Sequence, residues 1–508
     1  MSTLFKSSYK NIFILSLLVY LITSFFSEGY YHPDEHFQIL EFCNYKLGKS
    51  PGSDLPWEFH ERIRPSLQPV LALVMVKVFN AVSIYNPFTY ALIFRMLTAF
   101  FSWFVVCKLC IFLIRDFSTD IGKKLFLFLN FFLWFIPSIS VRFSSENYSA
   151  LTFLSAVYLI LQYGEDVSNG KFVKLSSAGL LLGFSFFFRF QIAFSILGLG
   201  LWLVLIKKIH KPDLLILIVS AVCSISFCVY LDYWFYGEFE LTPINYFVAN
   251  IVENKAANWA TYPWWYYFNL FILQAIFPIS LLLLGAFFVG LYRKTISVFA
   301  WCLIPFLIAH FAVGHKEMRF MFPMVFSFLY LTAMGIDYFI STRKYEKAVR
   351  FLFVFSVIVN MPLLLVKMVI PCQEAISYYR FLYDFSSQRE MVLLCTERDA
   401  YEMVGLKANF YKSPNVRCVV FKNDQELSNY LNENKPDSVF VFQRELSAGN
   451  KFAGYKNETI YNLLPKWIIH FNINNWQSRA NMWNILELKK IDQRRSYLQK
   501  HGGYSQWH

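Results

Sequence analysis

Long apolar runs separated by short polar interruptions fill the chain up to residue 371. A run of about 20 apolar residues crosses a bilayer as a helix, because hydrocarbon offers no outside partner to backbone N–H and C=O groups. Such runs begin near Asn11, Leu67, Tyr90, Leu125, Ala150, Leu175, Ala193, Leu214, Tyr266, Thr295, Phe320 and Phe351. The first is not read as a cleaved signal, since no A-x-A-like site follows it. Beyond residue 371 the pattern changes. Strand-like runs at 391–395, 418–421, 438–442 and 467–471 alternate with polar helical stretches such as Asp424–Asn434. That alternation predicts a small α/β domain of about 110–130 residues. The expected domains are a helical membrane module, 1–371, and an extramembrane α/β domain, 372–508.

Lysine and arginine in short loops set orientation. Lys6 and Lys10 precede the first run. Lys207, Lys208 and Lys211 form one basic loop, Arg293 and Lys294 a second, and Arg343, Lys344, Lys347 and Arg350 a third. Placing these in the cytoplasm leaves 29–66, 237–265, 314–319 and everything after 371 on the other side. Twelve runs conflict with that arrangement, which requires an odd number. About eleven spans are expected, with a run such as 67–85 or 175–206 interfacial, re-entrant or merged.

Composition agrees with a polytopic membrane protein. The 508 residues are 56% hydrophobic, 20% aromatic and 16% charged, against roughly 25% charged in average globular chains. Disorder, a fibrous repeat and an ordinary soluble enzyme are excluded. The net charge of +13 is assigned to cytoplasmic loops and not to nucleic acid, since no basic stretch carries a nucleic-acid motif. Nine cysteines show no metal spacing, and the Cys107/Cys110 CxxC lies inside an apolar run, where packing explains it.

Candidate chemistry sits in the outer loops. The first opens with His32-Pro33-Asp34-Glu35-His36-Phe37-Gln38. Pro33 restricts His32 to an extended backbone and can start a helix, which puts Asp34 and Glu35 in its first turn. The helix dipole alone would favour acids there, but stability rarely requires so many titratable groups beside lipid. Arg64, near the next run, suits either an anion or a snorkelling anchor. His315-Lys316-Glu317-Met318-Arg319 packs three potential cations beside one acid on the outer face, which suits a lipid-linked phosphate. A salt-bridged turn is the plainer alternative. Aromatics around 232–236 and 262–267, Trp264 among them, fit an interfacial belt or a sugar-stacking surface. Arg142, Glu146 and Arg189 border or enter apolar runs, where a charge needs a partner. An i, i+4 pair between Arg142 and Glu146 competes with a functional role.

Taken together, His32-Pro33-Asp34-Glu35, Arg142-Phe143-Ser144-Ser145-Glu146, Asp232…Tyr236-Gly237 with Thr242-Pro243…Asn245, and His315-Lys316-Glu317…Arg319-Phe320 resemble glycosyltransferase family 22. These are GT-C-class mannosyltransferases that use dolichyl-phosphate mannose in GPI-anchor and N-glycan assembly. The resemblance covers roughly 10–330. Phe143, Ser145 and the Phe190-Gln191 pair after Arg189 depart from the family's usual residues, which bears on the acceptor more than on the reaction.

The resemblance implies a GT-C-like fold, a polyprenyl-phosphate sugar donor, a glycan or glycolipid acceptor and inverting transfer. A carboxylate must take the proton of the attacking hydroxyl. Asp34 is expected in that role, with Glu35 second or supporting. His315, Lys316 and Arg319 are expected to receive the donor phosphate. His32, Gln38, Arg64, Arg142, Glu146, Arg189 and Trp264 are expected to contact substrate. No metal, cofactor or nucleic acid is expected. The membrane would be the endoplasmic reticulum in a eukaryote or the plasma membrane in a bacterium. A transferase of another lipid-phosphate sugar is the nearer rival. A transporter of anionic or lipid-linked solutes is the further one, although no inverted repeat is visible.

Overall fold

A computed structural model describes residues 9–164, 170–258, 260–342, 346–373, 375–444, 452–464, 468, 471 and 483–491. The chain divides into two compact units, Met1–Gly48 with Pro56–Cys372, and Lys49–Leu55 with Gln373–His508.

In the first unit every apolar run becomes helical. The helices are Lys10–Phe26, Leu67–Ala81, Pro87–Leu113, Asp120–Phe132, Ser145–Tyr163, Lys171–Phe188, Ala193–Leu205, Lys211–Tyr236, Tyr266–Gln274, Ile279–Arg293, Val298–Ala312, Val325–Ser341 and Glu346–Val369. The run near Tyr266 is thus two helices. Arg189 divides the 175–206 run: it takes an extended backbone (φ −154°, ψ 110°) and ends the helix before it. Caps follow the sequence locally. Asn86 accepts from Phe88 N at 2.9 Å while Pro87 opens the helix. Gly237, at φ 81°, closes Lys211–Tyr236.

Among the described residues five helices are long and apolar enough to cross a membrane: Pro87–Asp116, Lys171–Phe188, Lys211–Tyr236, Met318–Ser341 and Arg350–Val369. A sixth span arises if Ile279–Arg293 and Val298–Ala312, bent by 119°, count as one. Only 17% of the apolar window of Lys211–Tyr236 is buried. Ile218, Val222, Phe227 and Tyr230 accordingly point outward, as a lipid-facing helix requires. On its other side this helix meets Lys171–Phe188, where Gly179 and Gly183 leave room. A Cβ on either would overlap Leu217 or Ser224.

The loops gather at two ends. At one, Asp337 accepts from Ser118 N (2.8 Å) and Thr119 N (3.1 Å), Trp202 Nε1 donates to Ile296 O (2.9 Å), Arg293 lies over the Tyr338 ring, and Tyr163 meets Asp213. At the other, Tyr236 donates to Arg64 O (2.6 Å), Lys255 pairs with Glu61 (2.9 Å), and Tyr262 N donates to Gly314 O (2.9 Å).

The second unit is α/β. Strands β1 (Met391–Thr396), β2 (Glu402–Met403), β3 (Leu406–Lys407), β4 (Val416–Phe421), β5 (Ser438–Gln443), β6 (Tyr455–Asn462) and β7 (Asn484–Lys490) form a five-stranded sheet in the order β4-β1-β5-β7-β6, with β2-β3 a separate ladder. β1 runs parallel to β4 and β5; β7 runs antiparallel to β5 and β6. Helix Asp424–Asn434, capped by Asn423, buries Leu427 and Leu431 with Leu394, Val441 and Leu488. Asp54 holds the 49–55 piece here, pairing with Lys407 (3.3 Å) and accepting from Asn409 (2.9 Å). The expected strand at 467–471 lies outside the described residues except Ile468 and Phe471.

Candidate active site

Pro33 opens a short helix, Pro33–Glu35, behind an extended His32 (φ −132°, ψ 144°), so Asp34 and Glu35 occupy its first turn. A wide π-type turn, His36–Leu40, follows, a local irregularity frequent at functional sites. From there the two acids diverge.

Asp34 enters a charged cluster. Its Oδ2 accepts from Arg319 Nη1 at 2.8 Å and Arg64 Nη2 at 3.4 Å, and its Oδ1 lies 3.3 Å from His32 Nδ1. Arg319 Nη1 also reaches Glu146 at 3.2 Å, and Glu146 pairs with Arg189 at 3.3 Å. Arg319 Nε meets Glu317, whose carboxylate also takes His315 Nε2 (2.8 Å) and His32 Nε2 (3.2 Å). Gln38 donates to Glu58 at 3.0 Å, and Arg64 stands 3.7 Å from the same carboxylate. The acidic motif and the cationic motif, 285 positions apart, thus meet at one point.

Electrostatics follow from this packing. Burial alone would raise the Asp34 carboxyl, but Arg319, His32 and Arg64 outweigh it and hold it well below the usual carboxylate range. Burial keeps Glu58 above its ordinary value, against the pull of Arg64. The hydrogen bond to Glu317 raises His315, more than its partial burial lowers it. Asp34 is therefore ionised, and His315 is biased toward its imidazolium.

Asp34, Glu35, Gln38, Arg64, Glu146 and Arg189 line one partly open cavity. Its remaining wall includes Ile39, Ile63, Gln68, Phe187, Phe190, Gln191 and Tyr246. Apolar walls with a few convergent polar groups are usual for small-molecule sites. Among the described residues no three metal-ligating side chains converge; the acids here face arginines.

Other expected site residues are placed differently. Arg142 bonds Glu35 (2.8 Å), Ser27 O (2.8 Å) and Gly29 O, so it clamps the chain between the first helix and the acidic motif. The i, i+4 partner Glu146 goes to Arg189 and Arg319 instead. Lys316, expected to meet phosphate, instead gives its ammonium to the carbonyls of His310 (3.2 Å), Phe311 (3.0 Å) and Val313, capping Val298–Ala312. These hydrogen bonds go to backbone oxygens, and the ammonium also lies 5.4 Å from the centre of the Tyr267 ring. Trp264 is 63% exposed and does not line the cavity. Sequence reasoning gave no role to Glu58, Gln68 or Gln191. Gln68 carried a signal all the same: it is a polar amide two positions into an apolar run.

The pairings explain why these residues need one another, and comparison with known proteins gives them a family. A solved structure of ArnT from Cupriavidus metallidurans bound to undecaprenyl phosphate shares the fold, with a TM-score of 0.54 over 95% of this chain and 98% of that one, at 12% identity. GPI mannosyltransferase 3 of Yarrowia lipolytica is 26% identical over 59% of this chain and 57% of its own length. The human GPI alpha-1,2-mannosyltransferase 3 is 22% identical over 62% of this chain and 56% of its own. The matched chain thus spans little more than half the length of these relatives. The model of the Alg9-like mannosyltransferase family matches residues 11–415, so this chain belongs to that family.

Proposed function

We propose that this chain is an inverting mannosyltransferase that moves mannose from a polyprenyl (dolichyl) phosphate to a hydroxyl of a glycan or glycolipid, such as a GPI precursor. The observation that carries the proposal is Asp34 at the cavity wall, with Arg319 Nη1 2.8 Å from its carboxylate. Transfer by direct displacement needs a base on one face of the anomeric carbon and a cation at the leaving oxygen on the other. Asp34 is the base. The acceptor O–H proton passes to its carboxylate, the acceptor oxygen bonds to the anomeric carbon, and the C–O bond to phosphate breaks. The electron pair leaves with polyprenyl phosphate, received by Arg319 with His315 beside it.

The resting pairing fits this sequence. Arg319, His32 and Arg64 hold the Asp34 carboxyl well below its usual range. An arriving phosphodiester competes for Arg319 and so restores basicity when the acceptor needs it. Glu35, held by Arg142, orients the turn that carries Asp34. Arg64, Gln38, Glu146 and Arg189 line the substrate cavity, and His32 buttresses Asp34. About eleven spans set in the endoplasmic reticulum or plasma membrane would present this end outside the cytoplasm. The printed names of the relatives, GPI mannosyltransferases among them, support mannose and a GPI-type acceptor.

The test is transfer of radiolabelled mannose from polyprenyl-phosphate mannose to a mannosyl glycan acceptor by the purified chain. Asp34→Asn keeps size and hydrogen bonding and removes the base. It should cost about 10²–10⁴-fold in turnover with the protein still folded. An Asn variant that turns over like the parent overturns the assignment of Asp34. A parent that transfers a different lipid-linked sugar instead overturns mannose.

A further inference from the structure

The charged cluster supplies the phosphate contacts and the base, and a neutral polar side chain in the cavity takes no part in it. Gln68 is 3% exposed, lines the cavity, and has both amide atoms, Nε2 and Oε1, buried with no hydrogen-bond partner among the described residues. A carboxamide carries two donors and an acceptor with two lone pairs. Buried amides are normally satisfied, and an orphaned one needs an explanation. Its backbone cannot swing away to find one. Ser66, two residues earlier, donates through N (2.7 Å) and Oγ (2.6 Å) to buried Asp232, whose other oxygen takes Thr242 Oγ1 at 2.6 Å. Pro69 follows directly. The residue is thus held at the cavity wall, whose apolar part includes Ile63 and Phe187, with its amide buried just behind the surface.

Resting on the transferase reading, we infer that Gln68 is a sugar-specificity residue: its carboxamide reads a hydroxyl, or an adjacent pair of hydroxyls, on the hexose held in this cavity. The chemistry selects a hydroxyl over the other groups that enter. A phosphate belongs with Arg64, Arg189 and Arg319, which carry the positive charge that a neutral amide lacks. A polyprenyl chain would leave the amide unpaired. A sugar hydroxyl both donates and accepts, and so matches a group with one of each function side by side. The hexose can be the one leaving the donor or the one that ends the acceptor, and the two differ in a binding measurement.

Gln68→Met keeps length and removes both polar atoms; Gln68→Leu is a second apolar variant. Equilibrium binding to the full chain in detergent is measured for three probes: a polyprenyl phosphate, its mannosyl ester, and an α-mannosyl oligosaccharide. Affinity for the sugar-free polyprenyl phosphate should not change. Affinity for one sugar-bearing probe should fall roughly tenfold or more; loss for the ester assigns the donor hexose, loss for the oligosaccharide the acceptor. Thermal midpoints should stay level or rise, because an unpaired buried amide has been removed. Equal loss for all three probes, no loss for any, or a parent that binds no sugar-bearing probe overturns the inference. Selective loss in a parent that binds but transfers no mannose sustains Gln68 and sinks the transferase reading.

Discussion

His315 is the residue whose proton reports on the site. Its Nε2 meets Glu317 at 2.8 Å and its Nδ1 lies 3.1 Å from Ala260 O, so both ring nitrogens favour carrying hydrogen. The Glu317 contact raises its pKa above the ordinary 6.5, against burial and nearby Arg319. A raised pKa means that the charged form contributes fully below the ordinary value and is lost as pH rises through the raised one. Asp34 runs the other way: its depressed pKa keeps the base ionised until pH falls well below the ordinary 3.8. Donor kcat/KM should therefore hold across mildly acid pH and decline on the alkaline side. His315→Gln should remove that alkaline limb, and Glu317→Gln should move it down toward 6.5. A pH–rate series on the three proteins checks this, and an unchanged limb in His315→Gln rules the imidazolium out.

At the scale of elements, Arg142 shows how a catalytic-looking charge can be a joint. It ties the Ser27 and Gly29 carbonyls, just beyond Lys10–Phe26, to Glu35 in the acidic turn. Arg142 and Glu35 are 5% and 10% exposed, so truncation leaves a buried carboxylate without its cation. Arg142→Ala should cost about 3–5 kcal/mol of stability. It should lower the thermal midpoint of the detergent-solubilised protein while donor KM in the folded fraction holds; a raised donor KM with an unchanged midpoint would make it a substrate contact. The elements themselves were legible where one physical signal ruled. Apolar runs mark the long helices of the first unit, and the His32-Pro33 step marks the acidic turn. β1, β4 and β5 read clearly because their residues are mostly apolar. β6 did not, since its sequence, YKNETIYN, is polar and largely turned to solvent, as an edge strand should be. Within the site, the sequence named Asp34 and Arg319 but could not say that they touch, nor that Lys316 is committed to a helix end. Those facts depend on partners hundreds of positions away or on which way a side chain turns.

For the molecule as a whole, the two ends of the first unit differ in charge as well as in content. The end tied by Asp337 to Ser118 and Thr119 carries Arg115, Lys123, Lys124, Lys207, Lys208, Arg293 and Lys294 in or beside its loops. The opposite end holds the cavity, and there Arg62, Arg64, Arg319 and Lys255 are each matched by acids. Lysine and arginine in short loops favour the cytoplasmic side. The cavity should then open away from the cytoplasm, where lipid-linked donor and glycan meet. Single cysteines test this directly. Lys124, exposed on Asp120–Phe132, marks one end, and Phe239, 68% exposed beyond Gly237, marks the other. In sealed vesicles with the cytoplasmic face outward, an impermeant maleimide should label Lys124→Cys at once and Phe239→Cys only after detergent. The parent supplies the background, in which Cys223 is exposed but sits midway along a spanning helix. The reverse pattern would put the charged cavity in the cytoplasm, where Asp34 and Arg319 would face nucleotide-linked sugars, not lipid-linked ones.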